Sequence, residues 1–149
     1  MYPDPRVSEY VTRHFVPVRA HVKEQRDEYR RLSERFDAQW TPTILIVDAG
    51  GTERHRVEGF LPIDDFLSQL TLGRAKAAFS GKDYPKAEQL YRQVLEKFPS
   101  TDAAAEAQYW AGVSRYRASN DPQALSDTAR AFRERYQDTT WAKKASVWK

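Results

Sequence analysis

The sequence predicts two units of different class. The first is an α/β unit of about three strands with flanking helices over residues 1–71. The second is an all-α unit of helical hairpins over residues 72–149. Three observations point this way. Strand-like runs end before Leu72, and glycine-punctuated helices replace them. The charge changes sign near the same place. Residues 1–70 hold ten Lys/Arg against twelve Asp/Glu, a net of −2, and residues 71–149 hold fourteen against nine, a net of +5. An internal period also runs through the second half, with Ala87 and Ala124 lying 37 positions apart in similar surroundings. A chain of 149 residues is long enough for one ordinary domain or two small ones.

The elements follow from local pattern. Pro3 to His14 reads as a helix, because an early proline lacks only an N–H that would have had no intrahelical partner. Val7, Tyr10 and Val11 fall on one of its faces at i, i+3 and i+4. Phe15–Val22 reads as a strand with Val16, Val18, Ala20 and Val22 on one side, and Pro17 restricts it to a strand start or an edge. His21 then points opposite to Val22. Glu24–Phe36 reads as a polar helix whose stripe is Tyr29, Leu32 and Phe36. Pro42–Val47 is the strongest strand, apolar and β-branched without interruption, as in a strand covered on both faces. Asp48-Ala49-Gly50-Gly51 supplies a turn, and residues 52–59 form the return strand. The next helix begins at Leu61-Pro62-Ile63-Asp64 with Phe66, Leu67 and Leu70 inward. Beyond it, helices are expected near 73–80, 84–97, 102–118, 122–136 and 139–148, packed as successive antiparallel pairs.

Composition narrows the function. The chain has no cysteine, so its own residues offer no disulfide, thiolate ligand, cysteine nucleophile or dithiol redox cycle. No apolar run approaches the ~18 residues of a membrane helix, and no secretory apolar region opens the sequence. A cytoplasmic location is the resulting expectation. Mean hydropathy is −0.78 and the pI about 9.2. The basic residues are spread over helical faces rather than clustered, which favours solvated surface over a nucleic-acid footprint. His14, His21 and His55 lack metal-ligand spacing. Asp64 and Asp65 sit in a helix first turn, where carboxylates complement the macrodipole. Gly50-Gly51 lacks the lysine and the following helix of a phosphate loop. No catalytic constellation, metal site or cofactor site is expected.

Several short stretches resemble known families. Thr41-Pro42-Thr43 resembles the thioredoxin family's Pro-Thr signature, Asp48–Gly51 its hairpin, and Gly59 the glycine before its last helix. Tyr2–Val7 followed by Phe15–Val18 resembles the stretch after the active site in relatives that carry Trp-Cys-x-x-Cys. The likeness covers about residues 2–70 and implies the C-terminal part of a thioredoxin-like fold, with a cis Thr41–Pro42 bond. The family's earlier strands, first helix and Cys-x-x-Cys loop would precede residue 2. In the second half, Tyr84-Pro85-Lys86-Ala87 with Tyr91, Val94, Leu95 and Phe98-Pro99 resembles part of a tetratricopeptide (TPR) repeat, whose usual length is about 34 residues. Ala107, Trp110 and Gly112, then Asp121–Ala124 with Ala131 and Phe132, resemble a second copy. Trp141, Ala145 and Trp148 start a third that acts as a cap. Such arrays resemble those that bacteria attach to envelope and thioredoxin-like proteins. The resemblance places Ala87, Gly112 and Ala124 at close helix contacts.

These resemblances imply a redox-inactive thioredoxin-like/TPR protein that mediates protein–protein interaction as a scaffold or chaperone-like adaptor. The alternative is the C-terminal part of a thiol–disulfide oxidoreductase whose Cys-x-x-Cys lies upstream of Met1. In the thioredoxin-like unit, Trp40, Thr41 and Pro42 correspond to the edge that takes a peptide through its backbone. Trp40 reads either as a core anchor or as a peptide-binding aromatic. In the helical unit, Lys86 and Arg115 are placed on the concave side, where long cations meet acidic peptide groups. The partner is then a protein or peptide, and two copies are expected to associate through sheet edges left open by the missing strand.

Overall fold

The computed structural model describes residues 3–149; Tyr2, where the family-like segment begins, lies outside the described residues. In chain order the elements are α1 (Pro5–His14), α2 (Arg26–Phe36), β1 (Thr43–Val47), β2 (Glu53–Glu58), α3 (Ile63–Ser80), α4 (Tyr84–Lys97), α5 (Ala103–Ser119), α6 (Gln123–Glu134) and α7 (Thr140–Ala145). The fold class is therefore α/β followed by all-α, with two strands in place of about three.

β1 and β2 form an antiparallel pair, Ile44 opposite Val57 and Ile46 opposite His55, with a bulge after Ile46. Asp48 closes the hairpin by accepting from the backbone N–H of Gly50 and Thr52 through one carboxylate oxygen, at 2.9 and 3.0 Å. Its other oxygen takes Arg54 Nε at 2.7 Å. Gly51, at φ 84°, adopts the left-handed conformation that the turn needs.

The strand expected over 15–22 is absent. Phe15–His21 has no regular secondary structure, and Val16 and Val18 are 93% and 79% exposed. Alternation makes a strand only where a neighbour completes its ladder, and the only neighbour of β1 among the described residues is β2. His21 belongs instead to the turn before α2, where its Nδ1 accepts from the backbone N–H of Lys23 and Glu24, both at 3.3 Å. α2 accordingly begins at Arg26 rather than Glu24.

The helices expected to start at residues 61–63 and near 73 are one continuous helix. Gly73 is not a break in α3 but a contact: a Cβ there would stand 2.1 Å from Ile46 Cδ1 and 3.1 Å from His55 Cβ. A glycine inside a helix costs about 1 kcal/mol relative to alanine, and here it lets the hairpin lie directly on the helix. The boundary expected between 71 and 72 falls inside α3. Phe66, Leu67 and Leu70 at its start join Val7 of α1 and Ile46 of β1 in one core. Leu72 and Ala75 further along join Leu90, Tyr91 and Val94 of α4 with Ala103, Ala107 and Ala111 of α5 in a second.

The remaining helices pack on their chain neighbours, α3 on α4, α4 on α5, α5 on α6 and α6 on α7. α4 starts with Asp83 Oδ1 accepting from Lys86 N at 3.2 Å, with Pro85 in its first turn. α5 ends at Ser119 and is capped by Asn120, at φ 57°. Gly112 meets α6, and a Cβ on it would fall 1.9 Å from Thr128 Oγ1. Ala87 is fully buried and Ala124 is 3% exposed. A third core gathers Ala105, Phe132 and Ala145 with Tyr109, Trp141 and Trp148 around them. α7 ends at Ala145, short of the expected 148, although Trp148 still stacks on Tyr109 with ring centroids 4.7 Å apart.

Candidate functional site

The loop between α2 and β1 carries Trp40, Thr41 and Pro42, and its two ends are fixed. Arg56 of β2 donates to the carbonyls of Phe36 and Asp37 at the end of α2, the latter at 3.1 Å. It also pairs with Glu53 at 2.7 Å and Glu58 at 3.3 Å; the Glu53 carboxylate first, and Glu58 with it, raise the guanidinium's pKa above its already high ordinary value. At the other end Gly59 N donates to Pro42 O at 2.8 Å and Thr43 Oγ1 to Trp40 O at 2.7 Å. Between these anchors the Thr41–Pro42 peptide is cis. Trp40 is 65% exposed, so it is not a core anchor. Pro42 and Asp48 turn backbone groups toward β2. By alternation Thr43 and Leu45 direct theirs to the opposite edge of β1, which no strand covers among the described residues.

Lys86 and Arg115 stand on different helices, α4 and α5. Lys86 is exposed on α4, on the side where its charge reaches His14 of α1. Arg115 lies 3.8 Å from Asp127 of α6.

A different set of residues converges where α3, α5 and α7 face β2. They line an open recess of about 320 Å³. Phe79, Trp110 and Trp141 supply aromatic walls. Phe79 and Trp110 meet edge to face at 5.2 Å, and Tyr109 links Trp110 to Trp141 at 5.4 Å from each. Glu106 and Lys76 supply charge, paired at 3.0 Å. Tyr91 of α4 reaches the same recess. The residue is 1% exposed, and no described group hydrogen-bonds its hydroxyl; since no buried side-chain oxygen lacks a partner among the described residues, that oxygen opens onto the recess. Burial, with the Glu106 carboxylate nearby, raises its pKa well above that of a free tyrosine. The hydroxyl therefore keeps its proton. Glu53 and Arg54 of β2 close the side facing the hairpin.

Sequence reasoning missed this recess because its residues come from five elements whose mutual placement no local pattern carries. The one legible signal is Trp110, which the repeat resemblance places in the second repeat-like copy. Among the described residues no group of three or more His, Asp or Glu is arranged to hold a metal ion, and no helix is long and apolar enough to cross a membrane.

Comparison with known families adds two matches. Residues 1–73 match the family model described as a thioredoxin-like domain. Residues 70–101 match the one described as a tetratricopeptide repeat, and the two overlap within α3. No curated protein and no solved structure matches the chain.

Proposed function

From a chain that joins a thioredoxin-like domain to a tetratricopeptide repeat, we propose a redox-inactive adaptor that holds a protein or peptide partner. The observation that carries this reading is the recess beside α3, α5 and α7. Aromatic walls, a charged pair and a tyrosine hydroxyl that reaches the recess suit a polar group of another molecule. Trp40, Thr41 and Pro42 form a second contact edge on the thioredoxin-like unit. Lys86 and Arg115 add long cations on the helical unit, which suits acidic segments of a partner.

Panning a random dodecapeptide library against the chain tests the reading, with the selected peptides then followed through the tryptophan indole N–H resonances. Saturable shifts of Trp110 and Trp141, or of Trp40, are expected, and Tyr91→Phe weakens peptides that shift the first pair. If no selected peptide moves any of these three resonances, the adaptor reading fails.

The open edge of β1 supports a second element of the proposal, self-association of two copies through that edge. Light scattering at micromolar concentration should then give a dimer, and a monomer rejects this element without touching the first.

A further inference from the structure

One ring and three charged or polar side chains meet where β2 crosses the repeat helices. His55 Nε2 lies 2.6 Å from Gln69 Oε1. His55 Nδ1 lies 3.2 Å from Lys76 Nζ. The same ammonium lies 3.0 Å from Glu106 Oε1 of α5.

An ammonium has only protons to give. Nδ1 must therefore be the acceptor of Lys76, and the single ring proton sits on Nε2, donated to the Gln69 amide oxygen. Both ring nitrogens are then in use. A second proton has only Nδ1 to bind, and that nitrogen faces the Lys76 ammonium.

We infer that His55 is an acid-released latch between the β hairpin and the repeat helices. Neutral, the ring bridges Gln69 and Lys76 and holds β2 on α3. Protonated at Nδ1 by solvent, it loses the Lys76 hydrogen bond and sets cation against cation, and the hairpin lifts from α3.

The surroundings agree with this direction. From α3, Gln69 and Lys76 face the ring, and Gly73 lies under its Cβ. From α5 comes Glu106, already engaged by Lys76. β2 itself adds Glu53, and β1 presents the apolar Ile46 opposite. Burial first, and then the charge of Lys76, hold the imidazole below its ordinary range, against the opposing pull of Gln69, Glu106 and Glu53. Lys76 also lines the recess of the proposed partner site, so release of the latch changes a wall of that recess. The inference itself stands on the junction geometry and not on partner binding.

The test uses the full chain with 15N-labelled histidine, titrated from pH 8 to pH 5 alongside amide hydrogen exchange corrected for intrinsic rates. At neutral pH, His55 should show the Nε2–H tautomer. As it titrates, protection of Ile44, Ile46 and Val57 should fall several-fold more than protection of Leu90 and Val94. Lys76→Met should move the His55 titration to higher pH and shrink the loss of protection. His55→Gln should remove the pH response, and His14→Gln should leave it intact. If the glutamine variant does not fold, Lys76→Met carries the test alone. A proton on Nδ1 at neutral pH overturns the latch. So does a His55 titration that Lys76→Met leaves unmoved, hairpin protection indifferent to pH, or a response that disappears with His14.

Discussion

Replacing Gly112 with alanine adds one methyl group to the contact between α5 and α6. That methyl would stand 1.9 Å from Thr128 Oγ1, 2.7 Å from its Cβ and 2.8 Å from its Cγ2. All three distances are far inside van der Waals contact. Thr128 is 7% exposed, and its hydroxyl donates to Ala124 O at 2.7 Å, so turning the side chain away sacrifices that bond. Overpacking of this kind costs about 1–3 kcal/mol, and the shortest contact places this case at the upper end. Alanine in place of glycine returns about 1 kcal/mol of helix propensity. A net loss of about 2 kcal/mol remains, or roughly 4–8 °C in Tm for a chain of this size. Leucine at the same position should lose more. The assay is a urea titration of the single and double variants. Thr128→Ala removes Oγ1 and Cγ2 but leaves Cβ, so it should relieve part of the clash. The double variant should then be more stable than additivity predicts, by about 1 kcal/mol. A Gly112→Ala chain as stable as the parent, or strictly additive effects, would refute the close packing of α5 on α6.

Three further outcomes are expected. Gly73→Ala should destabilise the chain by up to about 2 kcal/mol, because its methyl meets Ile46 Cδ1 at 2.1 Å; Ile46→Val, which removes that carbon, should suppress the effect in a double-variant denaturation series. Insulin reduction by the purified 149-residue chain should stay at background, because no thiolate is present to attack a disulfide; turnover above background contradicts this. Finally, His14 and His55 are both held below their ordinary range, mainly by burial. The unfolded chain then binds protons more readily than the folded one, so stability present above about pH 6.5 is lost as pH falls from there through the folded-state values. Thermal melts across pH 5–8 would show the sign, and a rise in Tm on acidification through this range would be the wrong one.

The helical unit was legible because its information is local. α4 runs from Tyr84 to Lys97, where the Pro85 first turn and the spacing of Ala87, Tyr91 and Val94 place it, and Gly112 lies at the contact that its repeat position implies. β1 was readable from the unbroken run at Ile44–Val47. Phe15–Val22 failed for the opposite reason: its alternation is that of a strand, but pairing depends on a neighbour elsewhere in the chain, and none is present among the described residues. The separate helix expected near 73–80 is continuous with the one before it, because a glycine between apolar helical turns marks either a break or a close approach, and only the position of Ile46 decides between them. The sequence shows of His55 only that it lacks metal-ligand spacing, and in the fold it is half-buried. Its partners Gln69, Lys76 and Glu106 lie 14, 21 and 51 positions away, beyond any local pattern. Trp40 shows the same limit, since exposure depends on what packs beside it and not on the residue type.

α3 contributes side chains to the cores on both sides of residue 71, and its 18 residues make a strut of about 27 Å. The span between the Trp40 edge and the aromatic recess is therefore set by a rod and not by a tether. For a ligand that touches both surfaces, the second contact becomes intramolecular, at an effective concentration that depends on how closely its own length matches this span. A flexible linker would tolerate many spacings and favour none strongly. A rigid one acts as a ruler: a bivalent ligand of matching length gains avidity over either contact alone, and one too short to reach gains nothing.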